Sequence, residues 1–157
     1  MVVKINKKGE HVFRSEATNA YDLLKEIRAL IQEEPKRYNQ QDTLTYLRNY
    51  RNTLYRGKLA QEVAPACGTI GCRAGWVVAA AAPHPERVDD VVHYAKKVLG
   101  LTGRQAENLF DGWAAGSEAD GAPFGSVEHA RRGARGITVF MAHHKKQLQA
   151  HKITPRA

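Results

Sequence analysis

A run of small and apolar residues at 65–82, P-A-C-G-T-I-G-C-R-A-G-W-V-V-A-A-A-A, constrains the fold more than any other feature of the chain. From residue 70 onward it is apolar on every side of a helix except at Arg73, and a helix of that kind is normally buried all round. The apolar part is far shorter than the ~20 residues of a membrane span. We therefore predict a buried central helix at about 70–82, with Thr69 as its N-cap.

The segments on both sides have the periodicity of amphipathic helices, with apolar residues three and four apart. The N-terminus instead alternates in two short β-like runs around Lys7-Lys8-Gly9, which predicts a hairpin. We expect a mainly α fold, a compact bundle of five or six helices in one domain over 1–150, followed by a basic flexible tail at 151–157. The predicted outer helices cover residues 20–34, 38–55, 86–99, 102–110 and 126–151.

The net charge of +8 is concentrated in two segments. Residues 36–58 carry six basic and one acidic side chain, and residues 126–157 carry seven basic and one acidic. Such segments suit a polyanion, either nucleic acid or the acidic face of a protein, although a solvated surface that keeps the protein soluble is the simpler explanation. With two cysteines and no apolar leader at the N-terminus, we expect a cytoplasmic protein.

The basic helices give the leading functional hypothesis, a small non-catalytic accessory protein that contacts an anionic macromolecule. Because base-reading residues cannot be identified, only non-specific contact is expected if the partner is nucleic acid. A homodimer stays open as well. The candidate contact residues are Arg48, Arg51, Arg131, Arg132, Arg135, Lys145 and Lys146.

A second hypothesis places a small phosphate-containing ligand at the predicted start of the central helix, where backbone N–H groups would face an anion. The sequence there is not a Walker motif, because no Lys-Ser/Thr pair follows the glycines. A tight turn that lets the helix pack is the commoner explanation. The candidate residues are Gly68, Thr69, Gly71, Cys72, Trp76 and Trp113.

A third hypothesis is a small enzyme using the Cys72 thiol or the acidic, glycine-rich loop at 111–125. Cys67 and Cys72 are five apart, which is wider than the usual zinc-binding pair, so structural thiols are favoured over metal ligands. A histidine from elsewhere would have to complete such a site, from among His84, His93 and His129. Since no catalytic motif is present, we expect no catalytic role, no metal and no cofactor.

The motif Cys67-Gly68-Thr69-x-x-Cys72-x-Ala74-Gly75-Trp76 resembles one found in a group of small bacterial and phage proteins of uncharacterised function. The later element from Leu99 to Phe110 is similar to that group as well, and Tyr38-Asn39-Gln40 corresponds to an upstream aromatic element. The resemblance covers roughly residues 38–140. It implies a compact, mostly helical domain and brings no catalytic residue. The hypothesis of a bacterial or phage accessory protein, for example a phage counter-defence protein, depends instead on the two basic segments.

Overall fold

The computed structural model describes residues 1–5, 11–38, 44–45, 70–110 and 126–155. Among these residues the fold is mainly helical, which confirms the predicted class. Six α-helices are present there: α1 (Ala20–Glu33), α2 (Arg73–Ala81), α3 (Val91–Leu99), α4 (Gly103–Phe110), α5 (Val127–His143) and α6 (Lys145–Ala150).

Two short antiparallel strand pairs accompany the helices. The predicted N-terminal hairpin is formed by β1 (Val2–Ile5) and β2 (His11–Arg14), with Val2 opposite Arg14, and its turn lies outside the described residues. A second pair joins β3 (Leu44–Thr45) to β4 (Ile70–Gly71). Neither pair would be stable alone in water. The buried ring of Phe13 in β2 instead makes an edge-to-face contact with the Trp76 ring in α2, which attaches the hairpin to the helical body.

Helix α2 is the centre of the core, as its composition predicts. Each residue from Arg73 to Ala80 is buried, and α2 packs mainly against α3, with further contacts to β2 and α1. Because apolar residues surround it on all sides, the helix leaves no face for solvent along most of its length.

Helix α2 begins at Arg73, three residues later than predicted, and Thr69 is not its N-cap. Ile70 and Gly71 are extended and pair with Leu44 and Thr45 of the distant strand β3. Cys72 takes the capping position instead, and its Sγ accepts a hydrogen bond from the backbone N–H of Gly75 at 3.4 Å. The non-local strand pairing therefore overrides the local signal of a threonine followed by helix-forming residues.

Helices α1 and α5 form the other large contact of the bundle. Asn19 caps α1 by accepting from the Asp22 N–H at 2.9 Å, and Ser126 caps α5 by accepting from the His129 N–H at 3.1 Å. The apolar row predicted for α1 is buried throughout: Ala20, Leu23, Leu24, Ile27, Leu30 and Ile31.

Helices α3 and α4 follow the predicted pattern with one change of boundary. The segment expected to be helical from residue 86 forms a 3-10 turn at Pro85–Arg87, and α3 starts after its N-cap Asp90. Gly100 ends α3 with a left-handed φ of 66°. The capping box is present, with the Gln105 N–H donating to Thr102 Oγ1 at 3.2 Å and the Thr102 N–H donating back to Gln105 Oε1 at 3.0 Å.

Three further predictions need correction or lie partly outside the described residues. The helix expected at 38–55 is wrong at Leu44–Thr45, which is strand, and its remaining residues beyond Tyr38 are outside the described part. The last helix is broken at His144 into α5 and α6. Of the segment predicted to be a flexible tail at 151–157, residues 151–155 are described, and the Ile153 N–H there donates to Thr18 O, just before α1, at 2.9 Å.

Candidate functional site

Two groups of polar residues stand out, one buried and one exposed. The buried group, here called the arginine centre, consists of Tyr38, Cys72, Arg73, His129 and Gly133. Arg73 has no exposed surface. Its Nη1 donates to Leu109 O at the end of α4 at 2.6 Å, and its Nε donates to Gly133 O in the middle of α5 at 3.3 Å. One guanidinium at the first position of α2 therefore holds three helices together.

Tyr38 follows the 3-10 turn Pro35–Arg37 and is fully buried in the arginine centre. Burial raises the pKa of its hydroxyl to about 12, against the opposing effect of the Arg73 charge and of a hydrogen bond with that side chain. The phenol ring stacks on the imidazole of His129 with the ring centroids 4.9 Å apart. The hydroxyl is therefore neutral at physiological pH and acts as a hydrogen-bonding partner of the buried cation.

His129 lies in the first turn of α5 and is buried. Its pKa is lowered first by burial and then by the positive charges of Arg73 and Arg132. The imidazole is therefore neutral at pH 7. With one cation held by backbone carbonyls beside two neutral rings, the arginine centre has the character of a structural joint between helices.

Trp76, a predicted ligand residue, is fully buried and used within the core. Its indole Nε1 donates to Arg37 O at 2.9 Å, and its ring meets Phe13 edge to face with the centroids 4.8 Å apart. The guanidinium of Arg37 lies 5.0 Å above the Phe13 ring, and its Nε lies 3.0 Å from Glu34 Oε1. These contacts pack the start of α2 against the 3-10 turn Pro35–Arg37 and against β2.

The other predicted ligand residues are distributed differently from the sequence hypothesis. Gly68, Thr69 and Trp113 are outside the described residues. Gly71 belongs to a strand, whereas Cys72 is buried at the start of α2 and caps it. At the N-terminus of α2, the backbone N–H of Gly75 is therefore hydrogen-bonded to the thiol of the helix's own cap.

The exposed group lies on α5 and is here called the basic face: Arg131, Arg132, Arg135 and Val139, with the carboxylate of Glu128 among them. The carboxylate accepts from Arg131 Nε and Nη2, each at 2.9 Å, and from Arg132 Nε at 2.9 Å. These bonds lower the pKa of Glu128 to about 2. Glu128 is therefore ionised at neutral pH and offsets one of the two neighbouring charges.

Arg135 differs from the other two arginines of the basic face. It is exposed, and no carboxylate of the described residues forms a salt bridge with it. The side chain of Arg131 is 73% exposed in spite of its bond to Glu128. Since residues four apart lie on one side of a helix, Arg131 and Arg135 present their charges in the same direction.

Two exposed valines continue the same row along α5. Val127 is 73% exposed and Val139 is 49% exposed, and they stand four residues before Arg131 and four residues after Arg135. They are two of the three large apolar side chains that are exposed among the described residues. The row on α5 therefore reads apolar, basic, basic, apolar.

The remaining cationic candidates do not all belong to the basic face. Lys145 in α6 is exposed, and its Nζ lies 5.9 Å above the Tyr21 ring of α1. Lys146 is exposed on the same short helix. Arg48 and Arg51 lie outside the described part of the chain. Of the predicted contact residues, the structure thus groups the three arginines of α5.

A groove of about 590 Å³ along α1 has the opposite charge. Its lining includes the Glu26 carboxylate, whose Oε2 accepts from Ser15 Oγ at 2.6 Å. Lys25 is a cation among its lining residues. The carboxylates that line it are those of Glu16, Asp22, Glu26, Glu33 and Glu34.

Within the described ranges, no group of three or more His, Cys, Asp or Glu side chains is placed to hold a metal ion. His129, one of the histidines considered as a zinc ligand, is stacked on Tyr38. None of the helices in the described part is long and apolar enough to cross a lipid bilayer.

Sequence reasoning missed the arginine centre. Its signal was Arg73 itself, since a charge in a helix that is apolar all round has to be buried and hydrogen-bonded. Its partners lie 36 and 60 residues away in the chain, so their identity could not be read from local patterns. Comparison of the chain with protein-family models, with curated proteins and with solved structures gives no match.

Proposed function

We propose that this protein is a non-catalytic binding protein that contacts an anionic macromolecule through the basic face of α5. The observation that carries the proposal is the exposure of Arg131 and Arg135 on one side of the helix, with Arg135 in no salt bridge among the described residues. The chain from 126 to 155 has six basic side chains and one acidic one. A surface of one sign attracts a partner of the opposite sign and orients its approach.

The arrangement of the arginine centre also supports a binding role. The polar groups of Arg73 and Trp76 are hydrogen-bonded to backbone carbonyls inside the core. The thiol of Cys72 caps a helix. The Cys72 thiol, which the enzyme hypothesis would use, thus has a structural partner, and the loop at 111–125 lies outside the described residues. Arg131 and Arg135, by contrast, are exposed on α5.

The test is a fluorescence anisotropy titration with two labelled probes, a duplex DNA of 20 base pairs and a 20-residue poly-L-glutamate. The variant Arg131→Glu/Arg135→Glu reverses the basic face. The matched control Lys97→Glu/Arg104→Glu makes the same change in net charge at exposed positions of α3 and α4. Circular dichroism confirms that each variant is folded.

We expect the α5 variant to bind at least one probe about tenfold or more weakly, and the control to bind nearly as the unmodified protein does. Equal losses in both variants would show that only the overall charge matters. Unchanged binding in the α5 variant would remove the basic face from the function altogether.

A further inference from the structure

We propose that the partner of the basic face is an acidic amphipathic helix of another protein. This inference rests on the proposed function and adds the chemical class of the partner. It starts from the composition of the exposed row on α5, in which Val127, Arg131, Arg135 and Val139 follow one another at intervals of four residues. Because each step of four residues turns the row by about 40° around α5, a helix that docks on its central part meets Arg131, Arg135 and Val139 together.

The apolar members of the row favour a protein partner over a nucleic acid. The backbone of a nucleic acid offers phosphates and sugars, which gain nothing from a valine methyl group, and contacts with it are made by charged and polar side chains. An amphipathic helix presents carboxylates and apolar side chains at i, i+3, i+4 and i+7. From Arg131 to Val139 the row is about 12 Å long, or slightly more than two turns of such a helix.

The negative charge of Glu128 also favours a protein partner over a nucleic acid. It lies between Arg131 and Arg132 and stays ionised, because both arginines donate to it. A row of phosphates along a duplex would pass close to this negative charge and be repelled by it. A helix places its carboxylates at separate positions and can set an apolar or polar side chain opposite Glu128.

A second copy of the chain fits the basic face less well than an independent acidic protein does. The acidic groove of α1 supplies carboxylates, but Lys25 stands among them. In addition, two copies would bring together two molecules that each carry a net charge of +8. Their mutual repulsion opposes association, whereas an acidic partner is attracted by the same charge.

The experiment compares three labelled probes in the same anisotropy assay. The first is an 18-residue helical peptide of Glu, Leu and Ala, with its Glu and Leu side chains in adjacent rows at four-residue spacing. The second has the same composition in scrambled order, and the third is the 20-base-pair duplex DNA. The protein variants are Val139→Ser, Arg135→Glu and the matched control Val92→Ser, which removes an exposed valine of α3.

We expect the ordered peptide to bind at least about fivefold more tightly than the scrambled peptide and the DNA, and Val139→Ser to weaken the ordered peptide about threefold to fivefold. The same substitution leaves DNA binding unchanged, and Val92→Ser leaves both unchanged. Arg135→Glu weakens all three probes. This pattern assigns the basic face to an acidic amphipathic helix.

The contrary results separate the inference from the proposed function. Tighter binding of DNA, equal binding of the two peptides, or no effect of Val139→Ser would overturn the inference and leave an anion-binding face. Failure of Arg135→Glu and of the double variant to weaken any probe would overturn both. A concentration-dependent dimer in sedimentation velocity that is lost in Arg135→Glu would make the occupant a second copy of the chain.

Discussion

The phenol ring of Tyr38 fills the space beside Gly133 in which a side chain would have to stand. A Cβ atom at position 133 would lie 2.7 Å from the Tyr38 hydroxyl oxygen and closer still to the ring carbons. The absence of a side chain at Gly133 therefore allows α5 to approach Tyr38 this closely. Through Gly133 O, the same position also receives a hydrogen bond from Arg73.

Gly133→Ala is expected to destabilise the protein, because the tyrosine ring is fully buried and would have to displace its neighbours to make room. Overpacking of this kind costs about 1–3 kcal/mol. The matched control is Gly103→Ala at the start of α4, where a Cβ atom meets nothing within 4 Å. Urea denaturation of both variants measures the difference. A Gly133→Ala variant as stable as Gly103→Ala would mean that the ring and the helix separate without strain.

Arg73→Met is expected to lower the free energy of unfolding by about 3 kcal/mol or more, since hydrogen bonds from a charged group contribute about 1.5–3 kcal/mol each. The carbonyls of Leu109 and Gly133 lose a donor, and Tyr38 loses its hydrogen-bonding cation. Arg104→Met, at an exposed position, serves as the control. Equal stability of the two variants would show that burying the Arg73 charge costs as much as its bonds contribute.

The stability of the protein is expected to fall as the pH rises from 10 to 12, because the folded state holds the Tyr38 proton more tightly than the unfolded chain does. The pKa rises from 10.0 to about 12 on folding, so the contribution is complete below pH 10 and is lost through that interval. It amounts to about 3 kcal/mol, at roughly 1.4 kcal/mol for each pKa unit. Chemical denaturation at both pH values measures it. Tyr38→Phe should remove this part of the pH dependence, and an unchanged profile in that variant would contradict the assignment.

At acid pH the expected loss of stability comes from His129. Because the folded state lowers the pKa of this imidazole below its ordinary 6.5, the unfolded chain binds the proton more readily, and stability falls as the pH drops below 6.5. His129→Phe keeps a ring for the stack on Tyr38 and should reduce the loss of stability between pH 7.5 and pH 5.5. His93→Phe, at an exposed position of α3, should leave that loss unchanged. Denaturation at pH 7.5 and pH 5.5 makes the comparison, and parallel curves for the unmodified protein and His129→Phe would exclude His129 as the cause.

Glu128→Gln is expected to strengthen the binding of poly-L-glutamate, because it removes the negative charge that Arg131 and Arg132 both contact and that repels an anionic partner. The gain should be about twofold to fivefold, the effect of one exposed charge. Anisotropy at low and moderate salt measures it, and the gain should shrink as salt screens the charges. Glu107→Gln, an exposed carboxylate of α4, is the control. Weaker binding in Glu128→Gln would mean that the carboxylate positions the arginines for the partner.

The sequence determined the helices of this fold better than it determined their boundaries. The apolar row of α1 and the capping box of α4 are local signals, and both predictions are confirmed. The start of α2 is predicted too early because Thr69 is locally a good cap, while the strand pairing of Ile70 with Thr45 depends on a segment 25 residues away. Local chemistry contains no sign of that partner.

The basic face could be predicted from local sequence, whereas the arginine centre could not. The arginines of the basic face are visible in sequence as a charge cluster on one helix, and α5 presents Arg131 and Arg135 on one side as its periodicity implies. The role of Glu128 as their shared partner follows from spacings of three and four residues. By contrast, the joint of Tyr38, Arg73 and His129 assembles residues from three distant parts of the chain, and only the fold brings them together.

The packing of α1 against α5 has a consequence for the synthesis of the chain. The hydrogen bond from Arg28 to Thr138 spans 110 residues, and α5 is the described element that α1 contacts most. At about 5–20 residues per second, a ribosome needs roughly 5–20 s to make the intervening chain. During that interval the apolar row of α1 is already outside the ribosome with no α5 to cover it, a surface open to aggregation or to a chaperone.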